Sequence, residues 1–146
     1  MSGNDHQRQF VDTKIFLYAY DLSEPVKRKK AQQLISSLWH SRQGVISIQV
    51  LQELYVNLTR KIPKPINPEL ATQIITDLGQ WILHQPTLSD LKRAIELEKS
   101  HSLSFWDAMI VSSARQMGCK LLWTEDLNSG QYMEGLVIRN PFSDDI

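Results

Sequence analysis

The chain has 146 residues, a length typical of a single domain, because domains most often contain ~100–150 residues. Hydrophobic residues make up 42% of it and charged residues 22%, which excludes a disordered, collagen-like or coiled-coil chain. The 16 basic and 16 acidic side chains cancel, so the protein is not a bulk binder of polyanions. Any contact with nucleic acid must therefore come from a local patch.

The sequence predicts neither membrane insertion nor secretion. Its longest apolar runs, such as residues 15–20, are far shorter than the ~20 residues that a membrane span needs. The N-terminal sequence MSGNDHQRQ lacks the basic start and the apolar stretch of a signal peptide. The single Cys119 can form neither an intramolecular disulfide nor a zinc site. We therefore expect a soluble cytoplasmic domain.

Short apolar strands alternate with helices along the chain. Residues 1–8 are polar and are expected to form a flexible tail, which leaves a single domain over residues 9–146. In the first half of that domain, the pattern predicts a strand over 9–11, helical turns over 15–20, a helix that begins at Pro25, a strand over 45–47 and a helix capped by Ser47.

The second half of the chain continues the alternation. The predicted elements are a helix over 67–78, a strand over 81–85, helices over 87–99 and 104–117, and strands over 120–123 and 136–138. In the helix over 87–99, the inward positions are predicted to be Leu91, Ala94 and Ile95. This order of elements predicts an α/β fold, in which helices cover both faces of a parallel sheet.

Four carboxylates map near one edge of the predicted sheet. Asp12 ends the first strand, and Asp126 follows the strand over 120–123. Glu53 lies in the second turn of the helix after the second strand, and Asp107 lies in the first turn of its helix, in line with inward apolar positions. Ligands of open α/β sheets bind at the carboxyl ends of the strands.

Each carboxylate also has a purely structural interpretation. Asp107 fits the acidic half of a capping box that begins at Ser104, and Asp126 fits turn chemistry. Asp12 fits a helix cap, and Glu53 fits a solvated helix face, since it lies opposite the apolar stripe of its helix. The coincidence of four acidic residues from four separate segments favours a common site.

A common site of this kind points to metal chemistry. Like charges within ~4–6 Å of one another raise each other's pKa, and a hard divalent cation relieves the repulsion. Mg²⁺ takes oxygen ligands and usually combines a few carboxylates with water and phosphate oxygens. The chemistry indicated is metal-assisted hydrolysis of a phosphodiester.

Four short motifs surround these residues. They are Val11-Asp12-Thr13, Leu51-Gln-Glu53-Leu, Ser104-Phe-Trp-Asp107-Ala, and Leu-Leu-Trp-Thr124-Glu-Asp126 followed by Leu-Asn-Ser-Gly. In order and spacing they resemble the PIN-domain ribonucleases of the VapC type, the toxins of bacterial toxin–antitoxin pairs. The likeness extends from about Phe10 to Phe142.

The resemblance implies a three-layer α/β/α fold and an endoribonuclease that depends on Mg²⁺ or Mn²⁺. It also implies a homodimer that a cognate antitoxin inhibits. By position, Asp12 and Asp107 would be the principal metal ligands. Glu53 and Asp126 would bind a second metal or position water, and the hydroxyl of Thr124 would steady the site.

Two basic features and one alternative function remain open. Lys14 stands where the family often has Asn, and its cation could contact phosphate or hold a carboxylate. The basic run over residues 27–30 is interpreted as a solvated helix face, with a contact to RNA phosphate as the alternative. The alternative function is a catalytically silent PIN-like module that binds RNA or a partner protein, which the four filled acidic positions disfavour.

Overall fold

The computed structural model describes residues 7–143, so most of the predicted tail, residues 1–6, lies outside the described residues. Its strands are β1 (Gln9–Val11), β2 (Gly44–Ser47), β3 (Ile82–His84), β4 (Leu121–Trp123), β5 (Tyr132–Met133) and β6 (Leu136–Arg139). Its helices are α1 (Thr13–Tyr18), α2 (Pro25–Ser41), α3 (Ile48–Arg60), α4 (Pro68–Leu78), α5 (Leu88–His101) and α6 (Phe105–Gln116). The last residue before β1 already contacts the fold, since the carbonyl of Arg8 accepts a hydrogen bond from the amide of Lys120.

Within residues 7–143 the strands form one sheet in the order β3-β2-β1-β4-β6-β5. All neighbouring strands are parallel except β5 and β6, which are antiparallel. β1 lies in the interior of the sheet, where Phe10 pairs with Val45 of β2 on one side and with Leu122 of β4 on the other. All three side chains are fully buried, as expected for parallel strands covered on both faces. The predicted α/β class with a mostly parallel sheet is confirmed.

The helices pack in two groups, which gives the expected α/β/α arrangement. On one side α1 contacts α2 and α3, and α3 contacts α4, while α5 and α6 pack against each other. Side chains fix where several helices begin: Ser47 caps α3 and Asn67 caps α4, each by accepting a backbone N–H. No helix in the described part of the chain is both long enough and apolar enough to cross a membrane.

Two local predictions were incomplete or wrong. β5 was missed because two residues are too short to show a period, and it is joined to β6 by a two-residue turn. Both turn residues, Glu134 and Gly135, have positive φ, as a tight hairpin turn requires. In α5 the buried residues are Asp90, Ala94 and Leu97, whereas Ile95 is 38% exposed. Asp90 can be buried because it forms an ion pair with Arg93 at 2.8 Å. The positions of the apolar residues alone therefore did not reveal which face of α5 is buried.

Candidate active site

The structure brings three of the four predicted carboxylates together. One oxygen atom from each of Asp12, Asp107 and Asp126 lies within 4.8 Å of the other two. Asp12 and Asp126 meet because β1 and β4 are parallel neighbours, so both chains leave the sheet at the same edge. Asp107 reaches this point from the first turn of α6. We call these three residues the aspartate cluster.

Asp12 is the buried member of the cluster, and both of its carboxylate oxygens accept hydrogen bonds. Oδ1 accepts from the backbone amide of Thr13 at 2.7 Å, and Oδ2 accepts from Oγ1 of Thr124 at 2.8 Å. The pKa of Asp12 is raised to about 7, chiefly by burial; the two hydrogen bonds lower it, and the charges of Asp126 and Glu53 raise it. Asp12 therefore does cap α1, and it also supplies a carboxylate whose ionisation is costly without a cation.

Thr124 links two members of the cluster. Its side chain is fully buried at the end of β4. The hydroxyl donates to Asp12 and accepts from the backbone amide of Asp126 at 3.1 Å. The backbone of Thr124 is fixed in turn, because its amide donates to the carbonyl of Arg139 in β6. This one hydroxyl positions the Asp12 carboxylate relative to the loop that carries Asp126.

Asp107 lies in the first turn of a helix at which the structure shows only the serine half of the predicted capping box. Its backbone amide donates to Oγ of Ser104 at 3.1 Å, so Ser104 caps α6. Its half-buried carboxylate is within ligand distance of Asp12 and Asp126. Burial raises the pKa of Asp107; the Ser104 hydroxyl lowers it, Asp126 raises it and Lys14 lowers it. The first turn of α6 thus places the Asp107 carboxylate in the aspartate cluster.

Asp126 is the exposed member of the cluster, and its carboxylate forms an ion pair with Lys14. Nζ of Lys14 lies 2.7 Å from Oδ1 of Asp126, with the lysine side chain 50% exposed. The hydrogen bond to Asp126 is the main reason that the pKa of Lys14 is raised. Of the two roles that the sequence allowed for Lys14, the structure shows the contact with a carboxylate.

Glu53 borders the aspartate cluster without joining it. Its Oε1 accepts from Oγ1 of Thr13 at 3.0 Å and from Nε2 of Gln49 at 3.4 Å. Nε2 of Gln49 also lies 3.4 Å from the carbonyl oxygen of Trp106, the residue before Asp107. The sequence patterns did not reveal Thr13 and Gln49 as supports of the site. The spacing of Gln49 four residues before Glu53 on one helix was the available signal.

The basic run over residues 27–30 lies on α2 and is only partly a solvated face. Nζ of Lys27 lies 2.6 Å from Oε2 of Glu125 and 4.6 Å from the ring centre of Tyr18. The hydroxyl of Tyr18 donates to the other oxygen of Glu125 at 2.8 Å. Lys27 therefore fixes the loop after β4, next to Asp126, whereas Lys29 is exposed.

The donor set of the aspartate cluster suits a hard divalent cation. Three carboxylates supply only oxygen atoms, the ligands that Mg²⁺ and Mn²⁺ prefer. Burial and mutual repulsion raise the pKa of both Asp12 and Asp107, so a cation would stabilise their ionised forms. The side chains present fit Mg²⁺ or Mn²⁺.

Comparison with solved structures identifies similar folds. The chain is similar to a protein of a toxin–antitoxin complex from Klebsiella pneumoniae, at 17% identity and a TM-score of 0.67 over 91% of this chain and 97% of that one. It is similar to VapC20 of Mycobacterium tuberculosis, described as a toxin that cleaves the sarcin–ricin loop, at 19% identity and a TM-score of 0.55 over 78% and 86%.

A third similar chain comes from VapBC2 of Rickettsia felis, bound to a DNA fragment from its promoter. The two chains share 16% identity and a TM-score of 0.65, over 92% of this chain and 98% of that one. At these identities the likeness shows the fold. The sequence has no significant match among functionally curated proteins.

The amino-acid sequence itself shows the family to which the chain belongs. The family model for the PIN domain matches residues 10–131, which is most of the chain and includes Asp12, Glu53, Asp107 and Asp126. The match agrees with the sheet order, with the aspartate cluster at the carboxyl edge of the sheet and with the three solved folds. The chain belongs to the PIN domain family.

Proposed function

We propose that the protein is a metal-dependent endoribonuclease that hydrolyses RNA phosphodiester bonds, and that it is the toxin of a toxin–antitoxin pair. The observation that carries the proposal is the aspartate cluster, in which three carboxylates from separate segments lie within 4.8 Å of one another. Membership in the PIN family supports nuclease activity. The description of VapC20 as an RNA-loop-cleaving toxin supports RNA as the substrate class.

In this proposal Asp12 and Asp107 are the principal ligands of Mg²⁺ or Mn²⁺, and Asp126 completes the set. A bound divalent ion supplies Lewis-acid polarisation of the phosphoryl group and lowers the pKa of a water. Thr124 keeps the Asp12 carboxylate in place through its 2.8 Å hydrogen bond. Glu53, held by Thr13 and Gln49, is positioned beside Asp12 to orient water.

A cleavage assay tests the proposed function. Purified protein incubated with tRNA and with rRNA fragments is expected to produce cuts in Mg²⁺ or Mn²⁺ and none in EDTA. The fragments are expected to carry 5′-phosphates, because the site offers carboxylates to activate water and no covalent nucleophile. Cleavage that persists in EDTA would contradict the metal mechanism. RNA binding without cleavage in any metal would identify the silent module instead.

The proposed partner is an antitoxin protein. Two of the similar folds come from a toxin–antitoxin complex and from VapBC2, which supports a partner of this kind. The exposed carboxylate of Asp126 and the half-buried one of Asp107 present negative charge to a partner. Arg forms bidentate pairs with carboxylates, so we expect an antitoxin to insert a basic residue among them and to block the site.

The protein is also expected to form a homodimer. Large aromatic side chains remain exposed in the single chain, with Trp39 at 42%, Trp106 at 62% and Tyr132 at 73%. Burying apolar surface of this kind between identical copies stabilises symmetric dimers. Light scattering at micromolar concentration should give twice the chain mass of 16.9 kDa. A mass that stays at the single-chain value would contradict the homodimer.

A further inference from the structure

Lys14 places a positive charge directly against the aspartate cluster. It lies two residues after Asp12, in the first turn of α1, and its Nζ is 2.7 Å from Oδ1 of Asp126. The carboxylate that it contacts has an oxygen within 4.8 Å of oxygens of Asp12 and Asp107. Lys14 therefore supplies a fixed cation where the acidic side chains need positive charge.

The four acidic side chains differ in how far their carboxylate oxygens are already bound by neighbouring groups. Oε1 of Glu53 is engaged by Thr13 and Gln49, and Oδ1 of Asp126 is engaged by Lys14. Asp12 accepts one hydrogen bond on each oxygen and keeps lone pairs for a ligand. Asp12, Asp107 and the second oxygen of Asp126, Oδ2, are thus available to one divalent ion.

A second divalent ion would compete with Lys14. It would need the remaining oxygen of Asp126, Oδ1, and its double charge would lie close to the ammonium group that already contacts this atom. Repulsion between like charges is strong at such short range, because the separation is well below the ~10 Å over which dissolved salt screens charges. Binding of a second ion would require Lys14 to leave Asp126.

We propose that Lys14 acts as the second cation of this site, so that the aspartate cluster binds one divalent ion and the ammonium group takes the place of another. The inference rests on the proposed metal-dependent function and makes it more specific. It assigns Lys14 as a positioning residue, which holds Asp126 and sets the number of metal ions.

Counting bound Mn²⁺ tests this inference without any measurement of activity. Electron paramagnetic resonance of free Mn²⁺ gives the bound fraction during a titration of the full chain. Wild type should bind one ion, and Lys14→Gln, which removes the charge but keeps a polar, unbranched side chain only one atom shorter, should bind two. Lys14→Arg, which keeps the charge, should bind one.

Lys27→Gln is the matched control. Lys27 forms an ion pair of almost the same length, 2.6 Å, with the neighbouring Glu125, but Glu125 is outside the aspartate cluster. This variant should bind one ion, like wild type. Two ions on wild type, or one ion on Lys14→Gln, would overturn the inference and leave the proposed function standing. No bound Mn²⁺ on wild type would overturn both.

Discussion

Replacing Asp12 with Asn is expected to reduce RNA cleavage at least ~10²-fold, because loss even of a group that supports a metal ligand typically costs 10–100-fold. Asn matches Asp in shape and keeps an oxygen that can accept from the amide of Thr13, so α1 should keep its cap. The variant loses the negative charge that a divalent ion requires. Single-turnover cleavage at saturating Mg²⁺, together with an unchanged circular dichroism spectrum, measures the effect.

Glu125→Gln is the control for this variant. Glu125 is next to Asp126 in sequence, but it pairs with Lys27 and Tyr18 and takes no part in the aspartate cluster. Its neutralisation should leave the cleavage rate near that of wild type. Equal cleavage by Asp12→Asn and wild type would show that the reaction occurs elsewhere on the molecule.

The free energy of unfolding of the metal-free protein should carry a distinctive pH dependence from Asp12. The folded-state pKa is raised from 3.8 to about 7, so between these two pH values the folded protein holds a proton that the unfolded chain has released. Unfolding then releases a proton, and rising pH favours unfolding. The contribution of Asp12 to stability is complete below the unfolded pKa and is lost as pH rises through about 7.

Urea unfolding in EDTA at pH 5 and pH 8 measures this dependence. Relative to Asp12→Asn, wild type should lose ~2–3 kcal/mol between the two conditions, since each unit of pKa difference corresponds to ~1.4 kcal/mol. Comparison with the variant removes the contributions of other groups, such as Asp90 and Glu125, whose pKa values are lowered. Parallel pH profiles for the two proteins would contradict a raised pKa at Asp12.

The sequence was sufficient to predict the convergence of Asp12 and Asp126, and physical rules explain why. Both residues follow short apolar strands, and parallel strands present their carboxyl ends at one edge of the sheet. The match of Ser104 to a helix cap likewise located the first turn of α6, and therefore Asp107. These positions depend on backbone topology and local capping, which short sequence patterns encode.

Side-chain partners across elements could not be predicted in the same way. Glu53 lies beside Asp12, outside the aspartate cluster, because Thr13 of α1 and Gln49 of α3 bind its carboxylate. That arrangement depends on how α1 packs against α3. The ion pair of Lys14 with Asp126 joins residues 112 positions apart, and nothing in either local motif specifies its geometry.

We expect the three aspartates to act together as one metal site, and the thermal stability of Asp107→Asn shows whether they do. Melting curves of wild type and variant, in EDTA and in millimolar Mn²⁺, give four values. In EDTA the variant should melt at or above wild type, because neutralising one carboxylate relieves repulsion within the cluster. Mn²⁺ at ~100 times its Kd should stabilise wild type by ~2.7 kcal/mol and the variant much less.

A residue that only caps α6 would give a different pattern. Loss of a favourable charge at a helix N-terminus costs ~0.3–1 kcal/mol whether or not a metal is present. Equal destabilisation of Asp107→Asn in EDTA and in Mn²⁺ would therefore contradict a shared metal site. We expect wild type to melt above the variant only when Mn²⁺ is added.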